Sequence, residues 1–247
     1  MYQFFINPDN ISGSEVILSG KEDINHIKNV LRMRPGEKVN FCCEELSREY
    51  VCSLTFLGEE ELRAAIEDIN AVSGELPVKL VLFQGLPKSD KMDLVIQKAV
   101  ELGVYKVVPV AMKRCVVKLD AKKAAKKVAR WNEIAKSAAK QSKRGHIPEV
   151  APVMSYNDAV EYAKSLDRLL LPYEDAKGLE HSRQVIKSVK GKKSAGIIIG
   201  PEGGFDPAEV ELAEKAGART ITLGNRILRT ETAGMALLSV LMFMLDE

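Results

Sequence analysis

From Val78 onward, short aliphatic runs alternate with longer segments of helical period, and no other feature restricts the fold as tightly. The runs are "VKLVLF", "KVVPV", "RLLLP", "GIIIG" and "TITLG". Between and after them lie "SDKMDLVIQKAVELG", "AKKAAKKVARWNEIAKSAAKQ", a segment around residues 156–165, "PAEVELAEKAG" and "TAGMALLSVLMFML". Apolar strands separated by helices predict a parallel sheet covered on both faces. Ligands of such sheets sit beyond the carboxyl ends of the strands. Three loops are therefore candidate sites: "LPYEDA" after residues 168–171, "GPEGGFD" after 196–199 and "GNRILRTET" after 219–223.

The earlier part of the chain reads as strands. "YQFFI", "EVILS", "EKVNFCC" and "EYVCSLTF" are short and rich in β-branched or aromatic residues, with "EELSR" as a hairpin turn between the last two. "KEDINHIKNVLRMRPG" interrupts them as a helix, with Ile24, Ile27 and Leu31 at helical spacing and Pro35-Gly36 ending it. "ELRAAIEDI" fits a helix or an edge strand equally well. The simplest assembly is a small β-barrel with one helix over residues 1–72, a linker at 73–77 ("SGELP"), and an α/β domain over 78–247.

Charge follows the same division. Residues 1–74 hold 7 Lys/Arg against 13 Asp/Glu, and the remainder holds 29 against 21. A polyanionic partner is expected for the second part. Cys42, Cys43, Cys52 and Cys115 lack CxxC spacing and the three histidines are scattered, so no metal site is expected. Buried free thiols in a reducing compartment fit better. The start "MYQFFINPDN" does not resemble a signal peptide, and "MALLSVLMFML" falls short of the roughly 18–20 residues of a membrane span. A cytoplasmic protein is expected.

The second loop is built with care. Asp206 can N-cap the next helix, Pro207 suits its first position and Glu209 completes a capping box. Gly200, Gly203 and Gly204 permit close backbone approach. A phosphate cradle would place lysine and a hydroxyl after the glycines. Here Glu202 would repel phosphate, so the ligand is expected to be neutral or cationic at that point. A tight turn with no ligand accounts for the glycines equally well. The third loop adds Arg226 and Arg229 before a strongly apolar helix that starts near Glu231 and Thr232.

These stretches resemble the SPOUT methyltransferases, and specifically the bacterial 16S rRNA uridine-N3 methyltransferase family, over nearly the whole chain. "HIKNVLRMRPGE" is similar to the family's N-terminal motif, and "GLPKSDKMDLVIQKAVELGV" to the start of its catalytic domain. "KRCVVKLDAKKAAKKVARW" also follows the family pattern. "IIIGPEGGF" and "LGNRILRTETA", in this order and spacing, are the most diagnostic matches. Two positions depart from the pattern: Gln3 stands where an arginine is common, and Asn25 where a second histidine is common.

The resemblance implies an N-terminal PUA-like barrel and a C-terminal α/β domain closed by a deep trefoil knot. It implies S-adenosylmethionine as cofactor, with no metal, held by Leu171 and Pro172 of the first loop and Gly200, Pro201, Glu202, Gly203 and Gly204 of the second. Leu223, Gly224, Ile227, Leu228, Thr232 and Ala233 would complete that site. Methyl transfer to uracil N3 requires the N3 proton to leave, and charge then develops on the uracil oxygens. Arg229, then Arg226, is the expected stabiliser. Glu231 is available as a base, or it orients an arginine or caps the helix.

The implied partner is 16S rRNA, within the small ribosomal subunit. Residues 113–146 hold twelve Lys/Arg against Asp120 and Glu133. Lys122, Lys126 and Arg130 of the basic helix, flanked by Arg114, Lys143 and Arg144, are candidate RNA contacts, as are Arg32 and Arg34 on the barrel. The last helix carries two apolar stripes, one with Ala233, Leu237, Val240, Leu241 and Met244 and one with Met235, Leu238, Met242 and Leu245. A helix apolar on all sides is expected to be buried on all sides, and the family's homodimers would cover one side. The alternatives are a ribose 2′-O or tRNA methyltransferase, and a catalytically silent RNA-binding assembly protein.

Overall fold

The computed structural model describes residues 1–174 and 178–246. Its chain forms two compact units, Met1–Glu75 with Ala139–His146, and Leu76–Ala138 with Ile147–Glu247.

The first unit is a six-stranded sheet. Its strands are β1 (Gln3–Phe5), β2 (Ile11–Ser12), β3 (Glu15–Leu18), β4 (Lys38–Cys43), β5 (Arg48–Leu57) and β6 (Leu62–Ala71), in the order β1-β4-β5-β6-β3-β2. Alternation sets which face is buried: Tyr50, Cys52 and Leu54 of β5 point into a core with Phe4, Val39, Phe41 and Leu62. The "ELRAAIEDI" stretch is strand β6, and it lies between β5 and β3 rather than at an edge. Pairing on both sides outweighs its helix-forming Glu and Ala content.

The helix expected to reach Pro35 is shorter. It comprises α1 (Lys21–Asn25) and a π-helical turn over His26–Val30. Arg32 then adopts a left-handed φ of 55°, and the Met33 N–H bonds back to the Ile27 carbonyl. The chain thus turns inward to bury Ile24, Ile27 and Met33.

The second unit contains a parallel sheet of β7 (Lys79–Gly85), β8 (Lys106–Ala111), β9 (Glu149–Val150), β10 (Met154–Ser155), β11 (Leu169–Pro172), β12 (Ser194–Ile199) and β13 (Ala218–Ile221). The order is β10-β8-β7-β12-β11-β13, with β9 also on β8. Its helices are α2 (Lys91–Glu101), α3 (Ala121–Gln141, its last residues in the first unit), α4 (Tyr156–Ala163), α5 (Leu179–Lys187), α6 (Pro207–Lys215) and α7 (Thr230–Leu245). The short polar α5 and the two-residue strands β9 and β10 carry too little apolar pattern to be anticipated. Strand β13 stops at Ile221, which releases Thr222, Leu223 and Gly224 into the loop.

The four cysteines are free and buried. Burial pushes the Cys42 and Cys52 thiols up to about 12, so both stay protonated and unreactive near neutral pH. Among the described residues, no helix is long and apolar enough to cross a membrane, and no group of three or more His, Cys, Asp or Glu is gathered to hold a metal ion.

Candidate cofactor and catalytic site

Because β7, β12, β11 and β13 are neighbours in a parallel sheet, their carboxyl ends deliver four loops to one edge. The loop after β12 is the most constrained. Asp206 caps α6 by accepting the Ala208 N–H at 3.2 Å, and Glu209 closes the box on the Asp206 N–H at 2.9 Å. Lys113 lies 2.8 Å from Asp206, and this contact, with the Ala208 N–H, holds the Asp206 carboxyl below its ordinary range.

The loop's glycines serve different ends. Gly204 has a φ of +67° and open space where a side chain would project. A Cβ on Gly203 would instead stand 3.1 Å from both the Cβ and the carbonyl oxygen of Arg114. Gly203 therefore lies close against a neighbouring loop, and a side chain there would require Arg114 to give way by a few tenths of an ångström. Arg114, expected at RNA, donates from Nη1 to the Gly203 carbonyl at 3.2 Å.

Glu202 answers the question its charge raises. Its Oε1 accepts the Lys88 N–H at 3.0 Å and lies 3.3 Å from Lys91 Nζ. Burial raises the Glu202 pKa, but the Lys88 N–H, its own backbone N–H and the Lys91 ammonium outweigh it, and the net shift is downward. The acid is therefore satisfied by the start of α2. Lys91 also lies 3.4 Å from Glu231 Oε2, so one ammonium joins the glycine loop to the first turn of α7.

In the third loop, Gly224 has a φ of +115° with open space beside it, and its N–H and carbonyl both bond the Thr222 hydroxyl. Leu223 and Leu228 are half-buried, while Arg226, Ile227 and Arg229 are exposed. Arg229 is the N-cap residue of α7 through its backbone, and its carbonyl accepts the Ala233 N–H at 2.9 Å. Neither guanidinium makes an ion pair or hydrogen bond among the described residues, so α7 fixes the backbone of Arg229 without gripping its side chain. Thr232 is exposed and Ala233 half-buried.

In the first loop Leu171 is buried and Pro172 half-buried. The Tyr173 N–H bonds the Ile221 carbonyl at 2.9 Å, and its ring meets Phe205 edge-on at 6.5 Å. Asp175 and Ala176, the end of "LPYEDA", lie outside the described residues.

The fourth loop, after β7, is not among the three that the sequence singles out. Gln84 Nε2 donates to Thr230 Oγ1 at 2.8 Å, and Thr230 Oγ1 donates to the Gly200 carbonyl at 2.5 Å. A Cβ on Gly85 would stand 2.8 Å from Pro201 N. With Lys88 and Lys91, these residues join β7 and α2 to the glycine loop. "QGLPKSDK" directly follows an apolar strand, so the strand-end rule could have found it.

The basic residues separate into groups. Lys122 and Lys126 are exposed on α3 and make no ion pair among the described residues. Arg130 is already paired, 2.5 Å from Asp93, which also accepts from Trp131 Nε1. Lys143, Arg32 and Arg34 are exposed. Arg144 is not a surface phosphate ligand: it is 3% exposed and bonds Glu75 twice, Nε to Oε1 at 2.8 Å and Nη2 to Oε2 at 2.6 Å. Its carbonyl accepts from Gln3 at 2.7 Å, which gives that atypical glutamine a packing role within the first unit.

The chain thus joins a basic helix, a glycine loop at the end of a parallel strand and a separate small β unit. Residues 74–242 match the RNA methyltransferase domain, and residues 18–67 match the RNA methyltransferase PUA domain. The chain is 37% identical over 225 residues to ribosomal RNA small subunit methyltransferase E of Bacillus subtilis, covering 90% of this chain and 88% of the relative. It is 36% identical over 239 residues to the protein of that name from Mesomycoplasma hyopneumoniae, covering 97% and 98%. The crystal structure of a ribosomal RNA small subunit methyltransferase E from Neisseria gonorrhoeae bound to S-adenosyl methionine matches with a TM-score of 0.84 at 34% identity, covering 99% of this chain and 98% of that one. The chain therefore belongs to the RNA methyltransferase family that includes ribosomal RNA small subunit methyltransferase E, with a PUA-like N-terminal domain and an α/β RNA methyltransferase domain.

Proposed function

We propose that this protein is a cytoplasmic, S-adenosylmethionine-dependent methyltransferase that modifies uridine N3 in 16S rRNA and works as a homodimer. The observation that carries the reading is the cluster of backbone-lined loops at the ends of β11, β12 and β13, in a family with a cofactor-bound relative. The residues fit the cofactor. Gly204 and Gly224 border open space, the sequence after the glycines lacks the lysine and hydroxyl of a phosphate cradle, and Glu202 is paired with Lys91.

When bound, the cofactor supplies an electrophilic methyl group on sulfur. The chain's part is to hold uracil N3 in line with it and to accommodate the charge left as the N3 proton departs. Arg229, and then Arg226, are free to meet the uracil oxygens. Glu231 shares its carboxylate with Lys91 rather than with either arginine, which supports anchoring of α7 over direct proton transfer.

Exposed Lys122 and Lys126 support RNA contacts on the second unit, and exposed Lys143, Arg32 and Arg34 support them on the first. Val240 and Phe243, 50% and 82% exposed on α7, support a dimer face. The trefoil knot belongs to the same reading, as the resemblance to the family implies.

The test is incubation with unmodified small ribosomal subunits and labelled cofactor, followed by digestion to nucleosides and mass analysis. Label in N3-methyluridine is expected. Label in a 2′-O-methyl nucleoside, or only in added tRNA, would transfer the assignment to another methyltransferase class. No label in any RNA would leave a silent RNA-binding protein.

A further inference from the structure

Gln84 is the last residue but one of β7 and is fully buried, in a strand whose other buried side chains are Leu80, Val81, Leu82 and Phe83. A methionine would fill similar volume with no polar atom to satisfy. Both amide hydrogens are used, one on the Gly85 carbonyl at 3.0 Å and one on Thr230 Oγ1 at 2.8 Å. Because Thr230 Oγ1 accepts there, its own hydrogen is directed to the Gly200 carbonyl. The amide oxygen has no partner among the described residues and is buried.

The side chain is thus divided. Its donor half organises a loop, and its acceptor half is a burden on the fold. A side chain that served stability alone would gain nothing from that division. The same strand end meets the loop again at Gly85, which has no room for a Cβ against Pro201.

We infer that Gln84 is a positioning residue for the cofactor loop: its amide, acting through the Thr230 hydroxyl, fixes the direction of the Gly200 carbonyl and so the Gly200–Pro201 peptide. The inference rests on the reading of residues 200–204 as a cofactor loop. If loop backbone groups contact the ligand, a rotated peptide lowers affinity although Gln84 touches no ligand atom.

The experiment compares wild type with Gln84→Met, Thr230→Val, Thr230→Ser and the Gln84→Met/Thr230→Val pair. S-adenosylmethionine affinity is read by calorimetry, and stability by thermal melting. Gln84→Met is expected to bind about three- to tenfold more weakly, the scale of a single hydrogen bond, while melting at or above the wild-type temperature. Thr230→Ser, which keeps the hydroxyl, should bind like wild type, and Thr230→Val should not. The double variant should be no weaker than the worse single, because both break one chain. Wild-type affinity in Gln84→Met would overturn the inference. A melting temperature well below wild type would also overturn it, by recasting Gln84 as structural. A wild-type protein that fails to bind the cofactor would instead remove the functional reading beneath it.

Discussion

Single side chains here acquire their roles from what already occupies them. Arg229 is exposed and unpaired among the described residues, so its removal leaves the packing of the fold intact. Arg229→Ala should melt within about 0.5 kcal/mol of wild type. Its single-turnover methylation rate should fall about 10²–10³-fold if the guanidinium meets charge in the transition state. A near-wild-type rate would exclude it from the chemistry. Glu202 carries a pH dependence of definite sign. Its folded pKa lies below the unfolded one, so its contribution is present above the ordinary carboxylate range and is lost as pH falls through the folded value. Folding stability titrated downward from neutrality should therefore fall in that acid range. Glu202→Gln should be less stable at neutral pH and should lose that acid-range fall.

Helices α3 and α7 show how far periodicity reaches. On α3 the helical spacing of Ala124, Val128, Trp131, Ala135 and Ala138 marks an inward stripe, of which the last three are buried and the first two half-buried, but periodicity does not say which outward cations are already engaged. Lys122→Gln with Lys126→Gln should lower the salt slope of RNA affinity by roughly 0.7–0.9 for each phosphate no longer neutralised. Arg130→Gln also breaks its pair with Asp93, so its effect mixes RNA binding with local stability. On α7 the stripes are apportioned differently from expectation. Leu238 and Leu245 lie in the core beside Leu237 and Leu241, and the uncovered face is Val240 and Phe243. Phe243→Lys should give a soluble monomer by sedimentation, whereas Leu238→Lys should fail to fold. An unchanged dimer in Phe243→Lys would place the interface elsewhere. Two apolar stripes look alike in sequence, and only packing against α2 and β12 decides which one is interior.

Across the whole chain, residues 139–146 separate what is local from what is not. They continue a basic helix in sequence, yet they belong to the first unit. Arg144 bonds Glu75, Lys140 lies 2.7 Å from Asp23, and Gln3 bonds the Arg144 carbonyl. Arg144→Ala leaves Glu75 without its bidentate partner and should destabilise the protein by about 3 kcal/mol in denaturant titration, with little change in the salt slope of RNA affinity. The reverse pattern would restore Arg144 to the RNA surface. The parallel sheet, the β-rich first part, the α6 capping box and the glycine loops were legible because each is a pattern of neighbours within a few turns or strands of chain. The Gln84–Thr230–Gly200 chain, the bridging Lys91, the close approach of Arg114 to Gly203 and the burial of Arg144 were not. Each joins residues far apart in sequence, and strand order and helix docking alone decide which charges are stripped of water and which strand ends meet.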